Sequence, residues 1–417
     1  MSDYFVVTFL DNSQQTNKVM EFDFRNKPFS ISDVFLAPIE DFELLTKGQD
    51  VKRVYDLKLS LNEISFDFLP GDTIGILPRN DSVEVTKLLI RLNIESQAEE
   101  TYTLKILSDS TKKNPKLPRH VPNCVVIKDI FTYYIDIRKP PKKLFLKALI
   151  RFTEDPQEVN QLEEICSPKG SKQYSELING TAQTLLGLLN TFPSCYPPIE
   201  IILEHSMPLQ PRYFSISSSP MMMELKGVCT GWLEELIKKS YAKLEKIPFY
   251  FRKPNTFRIP SDLSTPIIMV ATGTGLAPFK SFLDHRLFSK ENGDCNLGEA
   301  FLFYGCRYSG RDYLYSKEIE EYLHKGALTK LYTAFSREIG KCYVQDKINE
   351  NGEEFVNNIL KKRCVIYVCG NAKSMVKDVK NAVTNNLTKY GHLELLVAEE
   401  YLDRLCKENR FIVDSWT

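Results

Sequence analysis

Arg212, Tyr213, Phe214 and Ser215 stand side by side in PRYFSISSSP, and Gly227, Val228, Cys229 and Thr230 follow a few residues later. The guanidinium can neutralise a pyrophosphate, the two rings offer flat faces, and the Ser215 hydroxyl can donate to a heterocycle. GVCTGWLEEL opens a helix with Thr230 near its N-cap, and free amides at a helix start suit a diphosphate. These residue types together make an anion-plus-aromatic site for a large dinucleotide. A barrel strand followed by a helix cap accounts for the same residues without any ligand.

Three further stretches lie beyond Pro266, each closing a short apolar run. VATGTGLAPF puts Gly273 and Gly275 between a strand and a helix, where small residues let backbone amides approach a pyrophosphate. A tight strand-to-helix turn has the same glycines. AFSREIGKCYVQ holds Ser336, Arg337, Lys341, Tyr343 and Gln345. A hydroxyl and two cations there suit a phosphate monoester such as the 2′-phosphate of NADPH, the arginine as a fork and the lysine as a point charge. A solvated charge cluster is the alternative. YVCGNAKSMVKDV ends a run on Cys369, where a nicotinamide would lie in such a fold, although a buried cysteine is more often packing than chemistry.

The elements that must position these residues fall into two patterns. From Val51, VKRVYDLKLSLNEISFDFLPGDTIGILP alternates apolar and polar residues about a Pro-Gly-Asp turn, which predicts antiparallel strands of a barrel. SVEVTKLLIRLNI, KKLFLKALIRFTED and TAQTLLGLLNTFPS have helical periodicity. After Pro266, PIIMVAT, EAFLFYGC, LTKLYTAFS and CVIYVCG are continuous apolar runs alternating with helical segments. That pattern predicts a doubly wound α/β domain with a parallel sheet, closed by RFIVDSWT. The expected organisation is an extended lead-in over 1–48, a barrel over 49–139 and 206–262, a helical insert over 140–205, and the α/β domain over 263–417.

Composition narrows the field further. The 417 residues carry 54 Lys and Arg against 54 Asp and Glu, so overall charge gives no support to a polyanionic partner. The ten cysteines show no C-x-x-C or zinc spacing, which fits reduced thiols in the cytosol and no metal site. No apolar run approaches the roughly 18 residues of a membrane span, and the N-terminus does not resemble a targeting segment.

The ordered set PRYFSISSSP, GVCTGWL, GTGLAPF, FYGCR, RDYLY, FSRE, KCYVQ, YVCGNAKSMVKDV and DSWT resembles the FAD/NADPH half of the diflavin reductases, from about residue 50 onward. KKLFLKALI, FPSCYPPIEIILEH and LQPRYFS are most similar to the methionine synthase reductase branch. The resemblance implies that Arg212, Tyr213, Phe214 and Ser215 meet FAD, that Gly227 to Thr230 wrap its diphosphate, and that Trp416 stacks on its ring. It implies Lys52, Thr274, Ser336, Arg337, Lys341, Tyr343, Gln345 and Asp378 for NADPH, and Ser215, Cys369 and Asp414 around hydride transfer. Phe214 stands where cytochrome-reductase relatives carry a tyrosine, and Asn371 where an aspartate is usual. Only MMMELK separates the serine ladder from the glycine-opened helix, where relatives have a longer segment with a barrel strand. The family's FMN-binding flavodoxin domain is too large for the residues before the barrel. The implied acceptor is therefore methionine synthase or a separate flavodoxin-like protein. A haem or sulfite-type partner, or a non-catalytic partner protein that keeps the nucleotide fold, are the alternatives.

Overall fold

Short apolar runs separated by turn residues become fourteen strands among the described residues of this computed structural model. In chain order they are β1 (Phe5–Phe9), β2 (Phe35–Leu44), β3 (Tyr55–Leu59), β4 (Thr73–Ile76), β5 (Thr101–Ile106), β6 (Val125–Val126), β7 (Arg212–Ser215), β8 (Leu225–Gly227), β9 (Lys246–Phe251), β10 (Ile267–Thr272), β11 (Ala300–Cys306), β12 (Lys330–Phe335), β13 (Val365–Asn371) and β14 (Phe411–Trp416). The structure describes residues 4–10, 32–48, 50–61, 68–108, 110, 112–180, 183–217, 225–227, 233, 236, 246–252, 256–293, 296–371 and 375–416. The chain divides into two units, Met1–Pro28 with Leu77–Pro211 and Phe29–Ile76 with Arg212–Thr417.

In the first unit β1 pairs antiparallel with β5, Phe5 opposite Ile106, and β5 pairs with β6. Helices Ser82–Arg91, Lys143–Leu149, Pro156–Cys166, Leu185–Thr191 and Ile199–His205 accompany this small sheet. Their apolar stripes bring Leu88, Leu146 and Leu188 into one core with Phe5, Tyr102 and Phe131. The helix starts follow their sequence signals. Asp81, Asp155 and Thr184 accept backbone N–H bonds from Glu84, Gln157 and Gly187. Arg91, the last residue of its helix, directs Nη2 at the end of helix Leu185–Thr191, within hydrogen-bond distance of the carbonyls of Leu189 (2.7 Å), Phe192 (3.0 Å) and Cys195 (3.0 Å).

Residues 1–48, expected as a lead-in, thus supply β1 and β2. The 140–205 segment shares its unit and its core with residues between 85 and 137, which the expected organisation places in the barrel. Alternation reports that a segment is a half-buried strand, but not which distant strand it pairs with.

The second unit holds two sheets. Six antiparallel strands run in the order β7-β4-β9-β2-β3-β8, a curled sheet with β7 and β8 at its ends. Among the described residues no pairing joins those ends. Ile39, Leu57, Ile74, Phe249 and Phe251 fill its inner face. The Pro-Gly-Asp turn before β4 needs its glycine: Gly71 has φ +97°, and a Cβ there would lie 2.0 Å from the Phe257 carbonyl oxygen. Asp72, next in the turn, accepts a forked pair of 2.7 Å bonds from Arg258.

Five parallel strands form the other sheet, in the order β12-β11-β10-β13-β14. Alternate residues of β10 enter different cores, Ile267, Met269 and Ala271 on one face and Ile268 and Val270 on the other. A strand buried on both faces has no polar alternation, which is why these runs read as continuous. The connection order reverses between β10 and β13, and the crevice beyond such a switch point is where open α/β sheets bind ligands.

Candidate active site

The switch point is built by close backbone contact. After β10 the chain turns through Gly273–Leu276 into helix Ala277–Glu291. Gly275 lies so near β13 that a Cβ would come within 2.1 Å of the Cys369 carbonyl oxygen. Gly273 is the opposite case. Its φ is +53°, and nothing stands within 4 Å of where a Cβ would be. One glycine seats the turn on β13, and the other leaves the opening clear.

A cavity of about 820 Å³ lies at this end of the parallel sheet. Thr272, Gly273 and Thr274 line it from the turn, with Cys306, Arg307 and Asp312 after β11 and Ser336, Cys342, Tyr343 and Gln345 after β12. Met375 and Asp378 of helix Met375–Gly391 and Thr46, Lys52 and Val54 complete the wall. Six residues expected to hold NADPH are therefore brought together: Lys52, Thr274, Ser336, Tyr343, Gln345 and Asp378. Arg337 and Lys341 are exposed on the loop that joins Ser336 to Tyr343 but do not line the cavity. Lys341 Nζ lies 5.3 Å from the Tyr343 ring centre.

Local bonds hold these walls. Ser336 donates both N–H (3.0 Å) and hydroxyl (3.3 Å) to the Cys306 carbonyl, and Arg337 N–H donates to the Arg307 carbonyl (3.0 Å). Asp312 accepts from the N–H groups of Arg307 (3.2 Å) and Tyr308 (2.7 Å), which shapes the chain leaving β11. Tyr343 N–H donates to Asp346 (2.8 Å) at the start of helix Val344–Glu350. Val54 N–H donates to Thr46 Oγ1 (3.1 Å), folding the chain so that Lys52 reaches the cavity. Thr46, Arg307 and Asp312 carry no role in the sequence reading. Arg307 stands in the FYGCR run and Asp312 in the RDYLY run that follows it; nothing local marks Thr46.

The expected hydride-transfer residues also converge. Cys369 of β13 is the register partner of Asp414 of β14, and the Ser215 hydroxyl donates to Asp414 Oδ2 at 3.5 Å. Cys369 is completely buried, and burial, reinforced by the Asp414 charge, pushes its thiol well above the usual range. It is a neutral thiol at physiological pH, unsuited to act as a thiolate nucleophile. Burial raises the Asp414 carboxyl too, while Arg252 and the Ser215 hydroxyl pull it back.

Along β7, Ser215 pairs with Thr73, Phe214 with Ile74, Tyr213 with Gly75 and Arg212 with Ile76. Arg212 and Tyr213 are exposed, and Phe214 and Ser215 are half-buried. An exposed cation beside an exposed ring is a donor set that fits a flavin dinucleotide. The clear opening at Gly273 and the hydroxyl-lined cavity fit a nicotinamide one. Gly227 closes β8 opposite Leu57, whereas Val228, Cys229 and Thr230 lie outside the described residues. So does the MMMELK segment as far as Glu224. Trp416 pairs through its backbone with Asn371, and its side chain is outside the described part.

Comparison with known proteins agrees with this geometry. Residues 27–227 match the family model described as an FAD binding domain, and residues 269–381 match the oxidoreductase NAD-binding domain. Methionine synthase reductase of Rattus norvegicus is 37% identical over 433 residues, covering 94% of this chain and 62% of the relative. The Homo sapiens protein of that name is 37% identical, with 93% and 62% covered. NADPH–cytochrome P450 reductase of Sus scrofa is 31% identical, with 97% and 62% covered. The chain thus spans less than two thirds of the length of these relatives.

Proposed function

The chain belongs to the diflavin reductase family as its FAD- and NAD-binding part, and from that premise we propose an NADPH-dependent flavin reductase of the methionine synthase reductase kind. The observation that carries this reading is the cavity at the switch point, whose glycine turn rests on Cys369, itself the register partner of Asp414. Lys52, Thr274, Ser336, Arg337, Lys341, Tyr343, Gln345 and Asp378 would hold NADPH. Arg212, Tyr213, Phe214 and Ser215 would hold FAD, with Gly227, Val228, Cys229 and Thr230 around its diphosphate and Trp416 against its ring.

When bound, the cofactors supply the chemistry, a hydride passing from NADPH to FAD and the electrons leaving one at a time. The protein supplies position and charge. Ser215, whose hydroxyl donates to Asp414, would also meet the flavin. The Asp414 carboxylate stabilises positive charge developing on the nicotinamide. Cys369 keeps its proton and packs the floor against the glycine turn. The acceptor in this reading is methionine synthase or a separate flavodoxin-like protein, in the cytoplasm. Among the described residues no helix is long and apolar enough to cross a membrane.

The visible spectrum of the purified protein tests the reading. Flavin bands that bleach on anaerobic addition of NADPH are expected. A colourless protein that still binds NADPH would be a docking module instead, and the enzymatic reading would fall.

A further inference from the structure

The connection between β2 and β3 carries Lys52 to the nucleotide cavity, and its base closes on itself. Leu45 N–H donates to the Val54 carbonyl at 2.8 Å, and Val54 N–H to Thr46 Oγ1 at 3.1 Å. Its tip rests on another loop, the one after β11. Lys47 N–H donates to the Arg311 carbonyl at 2.8 Å, and the Arg311 guanidinium, 4.6 Å from the Tyr308 ring centre, pairs with the Asp50 carboxylate. Gly48, between these two contacts, has φ +98°, and a Cβ there would lie 3.7 Å from Arg311 Cδ and 3.1 Å from Asp50 Oδ1. Lys47, Gly48 and Asp50 thus surround one arginine. The loop that offers it is anchored on its other side. Ser309 donates N–H (2.6 Å) and hydroxyl (2.9 Å) to Glu338 Oε1, next to Arg337. One loop therefore joins the Lys52 turn of the curled sheet to the Arg337 loop of the parallel sheet.

We propose that Arg311 is a positioning residue of the nucleotide cavity, holding the β2–β3 turn through Asp50 and the Lys47 N–H so that the Lys52 ammonium stays at the cavity wall. Arg311 does not itself line the cavity, so it acts through Lys52. A lysine is a point charge on a long flexible stem, and a phosphate gains most from it when the backbone that carries it is already in place. Thr274 and Ser336 follow strands of the parallel sheet and are placed by that sheet. Lys52 comes from the curled sheet and needs a tie of its own. The Arg311 and Asp50 side chains are about half exposed, 48% and 50%, and a pair so exposed contributes little to stability. Its effect belongs in ligand affinity and not in the melting point.

The inference rests on the proposed NADPH role of this cavity, and calorimetric titration of the protein with NADP+ separates the two. Lys52→Gln should weaken binding about tenfold, the loss of a charge-assisted contact. Arg311→Gln and Asp50→Asn should each weaken it about threefold, and the double variant no more than either. Neither should matter in the Lys52→Gln background. The signs decide between position and field. A field effect would make loss of the Arg311 cation weaken NADP+ binding and loss of the Asp50 anion strengthen it, so opposite signs overturn the inference. A lowered Tm with unchanged affinity, as a brace for the fold alone would give, overturns it too, and so does an undiminished loss in the Lys52→Gln background. Arg311→Lys, which keeps a cation opposite Asp50, should recover most of the affinity. Single-turnover flavin reduction at saturating NADPH should keep its rate in the Arg311 and Asp50 variants; a slower rate with affinity intact would overturn the inference. Where Arg311→Gln fails to fold, Asp50→Asn at the exposed turn carries the sign by itself. A parent protein that does not bind NADP+ would remove the NADPH reading and this inference with it. Binding that Lys52→Gln weakens while Arg311→Gln and Asp50→Asn leave it untouched would remove the inference alone.

Discussion

At the scale of single residues, charge and burial decide what each group can do. Arg337 and Lys341 stand exposed beside a cavity whose wall includes Ser336. A charge-assisted contact to a 2′-phosphate contributes roughly 1.5–3 kcal/mol, so Arg337→Ala should weaken 2′-AMP binding by about tenfold or more. The affinity for 5′-AMP should hardly change. Equal affinities for the two nucleotides in the parent protein would remove the argument for NADPH. Asp414 gives a pH signature of its own. Its folded-state pKa lies above the ordinary carboxyl value of 3.8 because it is buried. For an acid shifted upward, the protonated form is the one folding favours. Its stability contribution is present below the unfolded pKa and lost as pH rises through the folded one. Asp414→Asn should thus melt no lower than the parent protein at pH 8, with the difference closing as pH falls toward 4. Flavin reduction by NADPH should nonetheless slow. A melting point for Asp414→Asn that drops most at high pH would show the carboxylate to be stabilising, contrary to its burial.

At the scale of elements, the glycine turn after β10 separates seating from binding. Gly275→Ala would drive a methyl into the Cys369 carbonyl oxygen at 2.1 Å, so the turn must lift off β13. Gly273→Ala meets no atom, and carries only the left-handed backbone cost of roughly 1–2 kcal/mol. The first substitution should cost much of the fold's stability. The second should leave a well-folded protein whose nucleotide affinity falls, since its methyl borders the cavity. Melting curves beside 2′-AMP titrations distinguish the two, and loss of folding by both would mean that Gly273 is packed after all. The same turn shows what a sequence can disclose. Gly273, Thr274 and Ser336 follow their strands directly, so the apolar run locates the site residue. Parallel strands buried on both faces, such as β10 and β13, are legible for that reason. β2 is not, because Leu36, Phe42 and Leu44 are exposed and one of its partners, β9, lies some two hundred residues further along the chain. Thr46 escapes notice because it reaches the site through a fold contact rather than through its sequence neighbours. Cys369 and Asp414, 45 positions apart, meet only because β13 and β14 lie side by side.

At the scale of the whole molecule, the question is where the electrons go. The FAD- and NAD-binding domains match residues 27–227 and 269–381, and the chain spans 62% of relatives whose names specify different acceptors, methionine synthase in one case and cytochrome P450 in another. On the proposed reading the shared part takes electrons in, and acceptor choice need not reside in it. A small inorganic oxidant can collect electrons at an exposed flavin edge by collision, whereas a protein acceptor needs a docking surface and a carrier that presents electrons one at a time. The 417-residue chain should reduce ferricyanide rapidly with NADPH and cytochrome c only slowly. A separately produced flavodoxin-like domain carrying FMN should raise the cytochrome c rate. The effect should saturate with the concentration of that domain and weaken at high ionic strength if charges guide the encounter. Steady-state rates with the two acceptors, measured with superoxide removed, decide the matter. Cytochrome c reduction as fast as ferricyanide reduction by this chain alone would show that it delivers single electrons to a protein without any further domain.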